Sequence, residues 1–334
     1  MINGHGDDIY RYKDKILINF SSNIYVKQDM SALHDFLCSQ LRKVHSYPEP
    51  DAFSLNTLLA EKHHIKVENI QVTNGATEAI YLLAQTYQNS CSAIVIPTFS
   101  EYEDACCINR HQLRYYKDLN QIEDNIDIVW LCNPNNPDGR IYDAEYLIQV
   151  IENHPNILFI IDQSYASFSN LRVLNIQETI TYRNVVLLHS MTKQYAIPGL
   201  RLGYITAHSS VIENVNTYRM PWSVNTLAIE GGKYLISNES ELINVEEHLS
   251  ESKRLQCELA NIQGLEVMPS PMHYFLCRLK DKKASDLKQL LIEKYGILIR
   301  DASNFRGLNE HYFRIATQSP DENEQLIKAL KGWI

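Results

Sequence analysis

Apolar positions in the middle of the chain come in short unbroken runs separated by helical patterns. Ile70–Thr73, Ala93–Pro97, Asp127–Cys132 (DIVWLC), Ile157–Ile161 (ILFII), Val185–His189 (VVLLH) and Leu202–Thr206 read as strands. Side chains alternate along a strand, so a run that is apolar at every position is buried on both faces. Glu78–Gln85, Glu101–Asn109 and Ala144–Glu152 lie between these runs and read as helices. Together they predict an α/β fold with a mostly parallel sheet covered by helices on both sides. The pattern changes near residue 237. A long, charged amphipathic helix is expected over Glu239–Ile262, with helices at Ala284–Tyr295 and Asp321–Lys331. Short strands are expected at Tyr274–Leu279, Ile297–Arg300 and Phe313–Ala316. This predicts an N-terminal segment over 1–40, a large domain over 41–237 and a smaller α+β domain over 238–334.

Composition narrows the class. At 334 residues the chain is long enough for two domains, each with its own core. Lys+Arg is 31 and Asp+Glu is 40, so the net charge is 31 − 40 = −9. A mildly acidic surface disfavours nucleic-acid binding. The seven cysteines show no zinc spacing and fit reduced cytosolic thiols. The N-terminus is polar and no run approaches 18 apolar residues. A cytoplasmic protein without a membrane span or a metal site is therefore expected.

The chemistry gathers just after the predicted strands. Ser190–Tyr204 (SMTKQYAIPGLRLGY) follows Val185–His189. A lysine at a strand end is poorly solvated, and burial lowers its pKa and frees the amine as a nucleophile. Ser190, Thr192 and Arg201 supply two hydroxyls and a fork-shaped cation, a set suited to phosphate. Asn74–Thr77 (NGAT) opens a helix after a strand, and its exposed N–H groups and dipole form an anion site. Asn133–Gly139 (NPNNPDG) is a stiff turn after DIVWLC. Asp162 and Tyr165 follow ILFII, and Phe99 follows Ala93–Pro97. Ligands of open parallel sheets bind at the carboxyl ends of strands, where all of these turns lie.

These motifs, in this order, resemble the pyridoxal-phosphate enzymes of fold type I, the class I/II aminotransferase family. The resemblance spans about residues 5 to 330 and implies a large cofactor domain with a mostly parallel sheet. It implies pyridoxal 5'-phosphate as cofactor, held covalently by Lys193. Asp162 would pair with the ring nitrogen, keeping the ring an electron sink. Tyr165 and Asn136 would bond the ring 3-oxygen, and Phe99 would stack on the ring. Gly75, Ala76, Thr77, Ser190, Thr192 and Arg201 would bind its phosphate. Tyr47 matches a tyrosine that reaches the neighbouring subunit's phosphate, which implies a homodimer. Arg314 matches the arginine that grips the substrate α-carboxylate. Gln163 and Asp138 depart from the usual Glu and Thr of these motifs.

Within the family, His5–Gly6, Met220–Asn225 (MPWSVN) and Ile299–Leu308 resemble threonine-phosphate decarboxylases of cobalamin synthesis most. Histidinol-phosphate aminotransferases share the plan. Both groups take substrates with a distal phosphate, for which Arg300 is the expected ligand. His5 and Asn23 would complete that pocket, with the N-terminal segment packed on the small domain. Decarboxylation and transamination differ only in which Cα bond is aligned with the ring.

Overall fold

The computed structural model describes residues 6–24, 29–238 and 244–333. His5 lies outside the described residues. After β1 (Ile18–Asn19), the strands are β2 (Ile70–Thr73), β3 (Cys91–Val95), β4 (Gln112–Tyr116), β5 (Ile128–Cys132), β6 (Leu158–Asp162), β7 (Val185–Ser190) and β8 (Gly203–Ala207). The C-terminal strands are β9 (Leu265–Val267), β10 (Tyr274–Leu279), β11 (Ile297–Leu298), β12 (Arg300–Asp301) and β13 (Tyr312–Ala316).

A seven-stranded sheet runs in the order β2-β8-β7-β6-β5-β3-β4. It is parallel except for β8, which runs antiparallel to both neighbours. Strand alternation explains its unbroken apolar runs. Ile128, Trp130 and Cys132 of β5 pack toward the helices Gly75–Thr86 and Glu101–Ile108. Val129 and Leu131 pack into a second core with Leu147 and Ile151 of the helix Ala144–Asn153. The expected strands and helices of this region are found with shifts of one to three residues at their ends. β4 was not expected, because its half-exposed QLRYY stretch at the sheet edge is not a continuous apolar run.

The C-terminal part carries a four-stranded sheet, β12-β13-β10-β9. Its helix begins at Val245, capped by the Asn244 side chain, and ends at Ala260, so the longer span over Glu239–Ile262 is corrected. Residues 239–243 lie outside the described residues. The strand expected over Ile297–Arg300 divides at Ile299. β11 pairs with β1, whereas β12 pairs with β13. The β1 segment is thereby added to the C-terminal unit. Ile18 and Phe20 lie in that unit's core with Phe275, Phe313 and Ile315. The Phe20 carbonyl accepts from the Ala316 N–H at 2.9 Å. This anchorage delivers Ser21–Asn23 to a cavity at the carboxyl ends of the large sheet's strands.

Candidate active site

One cavity of about 250 Å³ opens where β2, β3, β5, β6 and β7 end and β8 begins. Ala76, Thr77, Phe99, Asn136, Asp162, Tyr165, Ser190, Thr192, Lys193, Arg201, Asn23, Arg300 and Arg314 all line it. Gly75 lies directly behind, at φ +78°. Tyr47 is elsewhere: it is 85% exposed and packs on Trp222 at 5.4 Å between ring centroids.

At one end the helix Gly75–Thr86 points its first N–H groups, which have no intrahelical acceptors, into the cavity. A Cβ on Gly75 would sit 2.7 Å from an Arg201 guanidinium nitrogen, so glycine is what lets that cation lie across the helix start. A Cβ on Gly203 would sit 2.7 Å from the Ala76 nitrogen and 2.8 Å from the His189 oxygen. The lack of a side chain there brings β8 against both the helix start and β7.

On the floor, Lys193 leaves the short helix Met191–Gln194 after β7. Its remaining exposure is to the cavity. Burial, helped by the Arg314 and Arg201 charges and opposed by Asp7 and Asp162, lowers its pKa to about 8. Asp162 ends β6 at 4% exposure. Its Oδ2 accepts from the Tyr102 hydroxyl at 2.7 Å and its Oδ1 from the Ser164 N–H at 2.8 Å. Burial raises its pKa, and the Ser164 hydroxyl, the Tyr102 hydroxyl, the Ser164 N–H and the Lys193 charge hold it back. Tyr165 meets Tyr274 edge-on at 4.9 Å, and burial drives its hydroxyl pKa upward against the pull of Arg314.

The opposite wall is basic. Arg300 and Arg314 are directly paired across β12 and β13 and are 8% and 5% exposed. Arg314 donates to the Asn136 side chain and, at 2.6 Å, to the Ser21 carbonyl. Its Nε has no hydrogen-bond acceptor among the described residues, and neither does the amide of Asn23, which is 2% exposed. Arg300 donates to the Asp301 carbonyl at 2.5 Å and to Asn304 at 2.8 Å. Burial and the neighbouring Arg314 lower its pKa to about 10, so it stays cationic at neutral pH. Two buried cations and an unsatisfied amide in one wall suit an anionic ligand.

Sequence reasoning missed several lining residues. Tyr102, Cys132, Ser164, Asp7 and Ser21 all face the cavity. Tyr102 could have been found, since it lies three residues after Phe99 on the face its helix turns to β6. Asp7 and Ser21 carry no local signal; long-range pairing of β1 places them.

The chain belongs to the class I and II aminotransferase family, whose model matches residues 15–330. Enzymes of this family depend on pyridoxal phosphate. A threonine-phosphate decarboxylase of Salmonella typhimurium is 30% identical, over 95% of this chain and 91% of that one. The bifunctional adenosylcobalamin biosynthesis protein CobDQ of Leptospira interrogans is also 30% identical over 95% of this chain, which spans only 39% of that protein. A solved L-threonine-O-3-phosphate decarboxylase from Porphyromonas gingivalis superposes with a TM-score of 0.93 at 39% identity, covering 95% of this chain and 99% of that one. A histidinol-phosphate aminotransferase from Sinorhizobium meliloti, solved with pyridoxal-5'-phosphate, shares the fold at 17% identity and a TM-score of 0.85 over 97% and 92% of the two chains.

Proposed function

We propose that this chain is a pyridoxal-phosphate enzyme acting on a phosphorylated amino acid, and that it decarboxylates L-threonine O-3-phosphate in cobalamin biosynthesis. The observation that carries the substrate class is the paired, buried Arg300 and Arg314 on the wall facing Lys193. The carboxylate and the distal phosphate of such a substrate give each guanidinium one anion. The 39% identity to a decarboxylase along 99% of its length supports the reaction.

The cavity fits the cofactor. Asp162 is a buried carboxylate that forms no ion pair among the described residues, and a protonated pyridine nitrogen would supply its missing cation. Gly75, Ala76, Thr77, Ser190, Thr192 and Arg201 form a cradle for its phosphate. Phe99 offers a face to its ring, and Asn136 and Tyr165 offer hydrogen bonds to its 3-oxygen. When bound, the cofactor supplies a sink for the electron pair left at Cα. The chain's own groups do the rest. Lys193 would hold the cofactor, and its Nζ is placed to take up and give back a proton. Arg314 grips the carboxylate and Arg300 the distal phosphate, with Asn23 beside them, and so they set which Cα bond is aligned with the ring. The segment 6–24 excludes water from that side.

On this proposal the active enzyme is a homodimer in the cytoplasm. Tyr47, Trp222, Met220 and Phe53 are exposed by 85, 50, 70 and 56%, an apolar surface suited to a second copy. Across such an interface Tyr47 would reach the partner's cofactor phosphate.

Product analysis with O-phospho-L-threonine tests the reading. Release of carbon dioxide and (R)-1-amino-2-propanol phosphate is expected. Conversion of histidinol phosphate only in the presence of 2-oxoglutarate would overturn it in favour of an aminotransferase.

A further inference from the structure

Tyr102 is 1% exposed and sits inside the cavity wall. Its ring is fixed on two sides, stacked on Trp130 at 5.7 Å and edge-on to Phe99 at 5.9 Å. Its hydroxyl can therefore point in few directions, and it donates to Asp162 Oδ2 at 2.7 Å. The Ser164 N–H holds the other oxygen. The register of β5 on β6 also sets Cys132 directly beside Asp162, and the Cys132 thiol donates to the Pro134 carbonyl at 3.1 Å. The carboxylate is thus clamped at both oxygens, while each oxygen keeps a further lone pair for a ligand. A charge-assisted bond in a dry wall is among the stronger polar contacts a protein makes.

We propose that Tyr102 is a positioning residue that acts through Asp162, its hydroxyl fixing the orientation and the basicity of the carboxylate that meets the cofactor ring nitrogen. The proposal rests on the reading that this cavity takes pyridoxal phosphate. A phenol donating to the carboxylate stabilises the anion, and so favours the proton on the ring nitrogen over the carboxyl. The hydroxyl is engaged by Asp162, so its loss weakens the electron sink and leaves substrate capture by Arg300 and Arg314 alone.

The test uses the full chain, freed of cofactor and titrated with pyridoxal 5'-phosphate. Tyr102→Phe keeps the ring packing and removes one bond. Cofactor affinity is expected to fall about threefold or more, because the bond already exists in the free protein and only the part that strengthens against the ring cation is lost. With nitrogen-15 in the cofactor ring, its chemical shift is expected to move toward the unprotonated value. The rate constant kcat falls while KM for the amino acid stays within about twofold. In an Asp162→Asn background the same substitution adds no further loss, because the two residues act as one unit. Replacement of Tyr102 by 3-fluorotyrosine keeps the fold and makes the donor more acidic, so the ring-nitrogen shift moves the other way. An unmoved shift, or additive losses in the double variant, overturns the proposal. A wild-type chain that binds no pyridoxal phosphate overturns the functional reading and this proposal with it. A wild type that binds, matched by Tyr102→Phe, overturns this proposal alone.

Discussion

At the residue scale, environment turns ordinary side chains into reagents. Lys193 shows this most directly. Its pKa of about 8 in the fold lies below the usual 10.5, because burial penalises the ammonium form. Only the neutral amine attacks a carbonyl. Cofactor uptake by the free protein should therefore speed up with pH through about 8 and level off above it, a midpoint that stopped-flow absorbance can locate. The unfolded chain binds more protons than the fold between about 8 and 10.5, so this lysine makes stability rise with pH across that window. Lys193→Ala protein should stay colourless after dialysis against pyridoxal phosphate and show no borohydride-fixed label. Lys193 and Asp162 were legible because each sits at or just past the end of an apolar strand within a dense motif, and Arg314, in the middle of β13, was legible through the family resemblance. Tyr102 could be singled out only by its place three residues after Phe99; what it does depends on Asp162, the residue its hydroxyl meets at the end of β6.

Elements decide how those side chains converge. The segment 6–24 is held to the helix Ala284–Tyr295 by Asp8, whose carboxylate accepts from Lys288 Nζ at 2.8 and 2.9 Å. Both side chains are largely buried, at 11 and 15% exposure. Gly6 leans on Arg300 so closely that a Cβ would lie 2.8 Å from its Cδ. Breaking this pair with Asp8→Asn should loosen the residues before β1 rather than unfold the protein, since β1 and the buried Phe20 still anchor the rest of the segment. The expected signs are faster limited proteolysis within 9–16 and a several-fold higher KM for the phosphorylated substrate, with kcat little changed. Gly203→Val is expected to act differently. Its neighbours are backbone atoms that cannot move aside, so a loss of about 1–3 kcal/mol in denaturant unfolding is expected. Cofactor affinity should fall with it. The apolar strands of the central sheet could be read from their runs. The division at Ile299 could not, since it depends on which of two sheets each half meets.

For the whole molecule, the C-terminal core and the cavity at the large sheet share one segment from early in the chain, the stretch that runs through β1 to Asn23. Phe20 is fully buried in the C-terminal core, while the three residues after it line the cavity. Phe20→Ala should cost about 3–5 kcal/mol in stability and also disturb Arg314, which holds the Ser21 carbonyl. Denaturant unfolding and KM measured together would check both. Dilution tests the proposed pairing of two copies. If Tyr47 completes a partner's phosphate site, cofactor should dissociate as light scattering falls toward 38.6 kDa. Tyr47→Ala should weaken cofactor binding where the dimer holds and make no difference once dilution has separated it. Net charge −9 did not foretell a site that gathers three arginines, because a sum over the surface says nothing of one concave wall.

The reversed direction of β8 has a consequence for inheritance and engineering. Each of the other large-sheet strands that reach the site contributes its carboxyl end and the turn after it, but β8 contributes the turn before its first residue. Lys193 and Arg201 therefore stand at the two ends of one uninterrupted loop of the chain between adjacent strands. The reactive amine and the phosphate-side cation travel together as a cassette. A stretch such as Ser190–Gly203 could be exchanged between relatives in one piece, with its entry and exit points already side by side in the sheet.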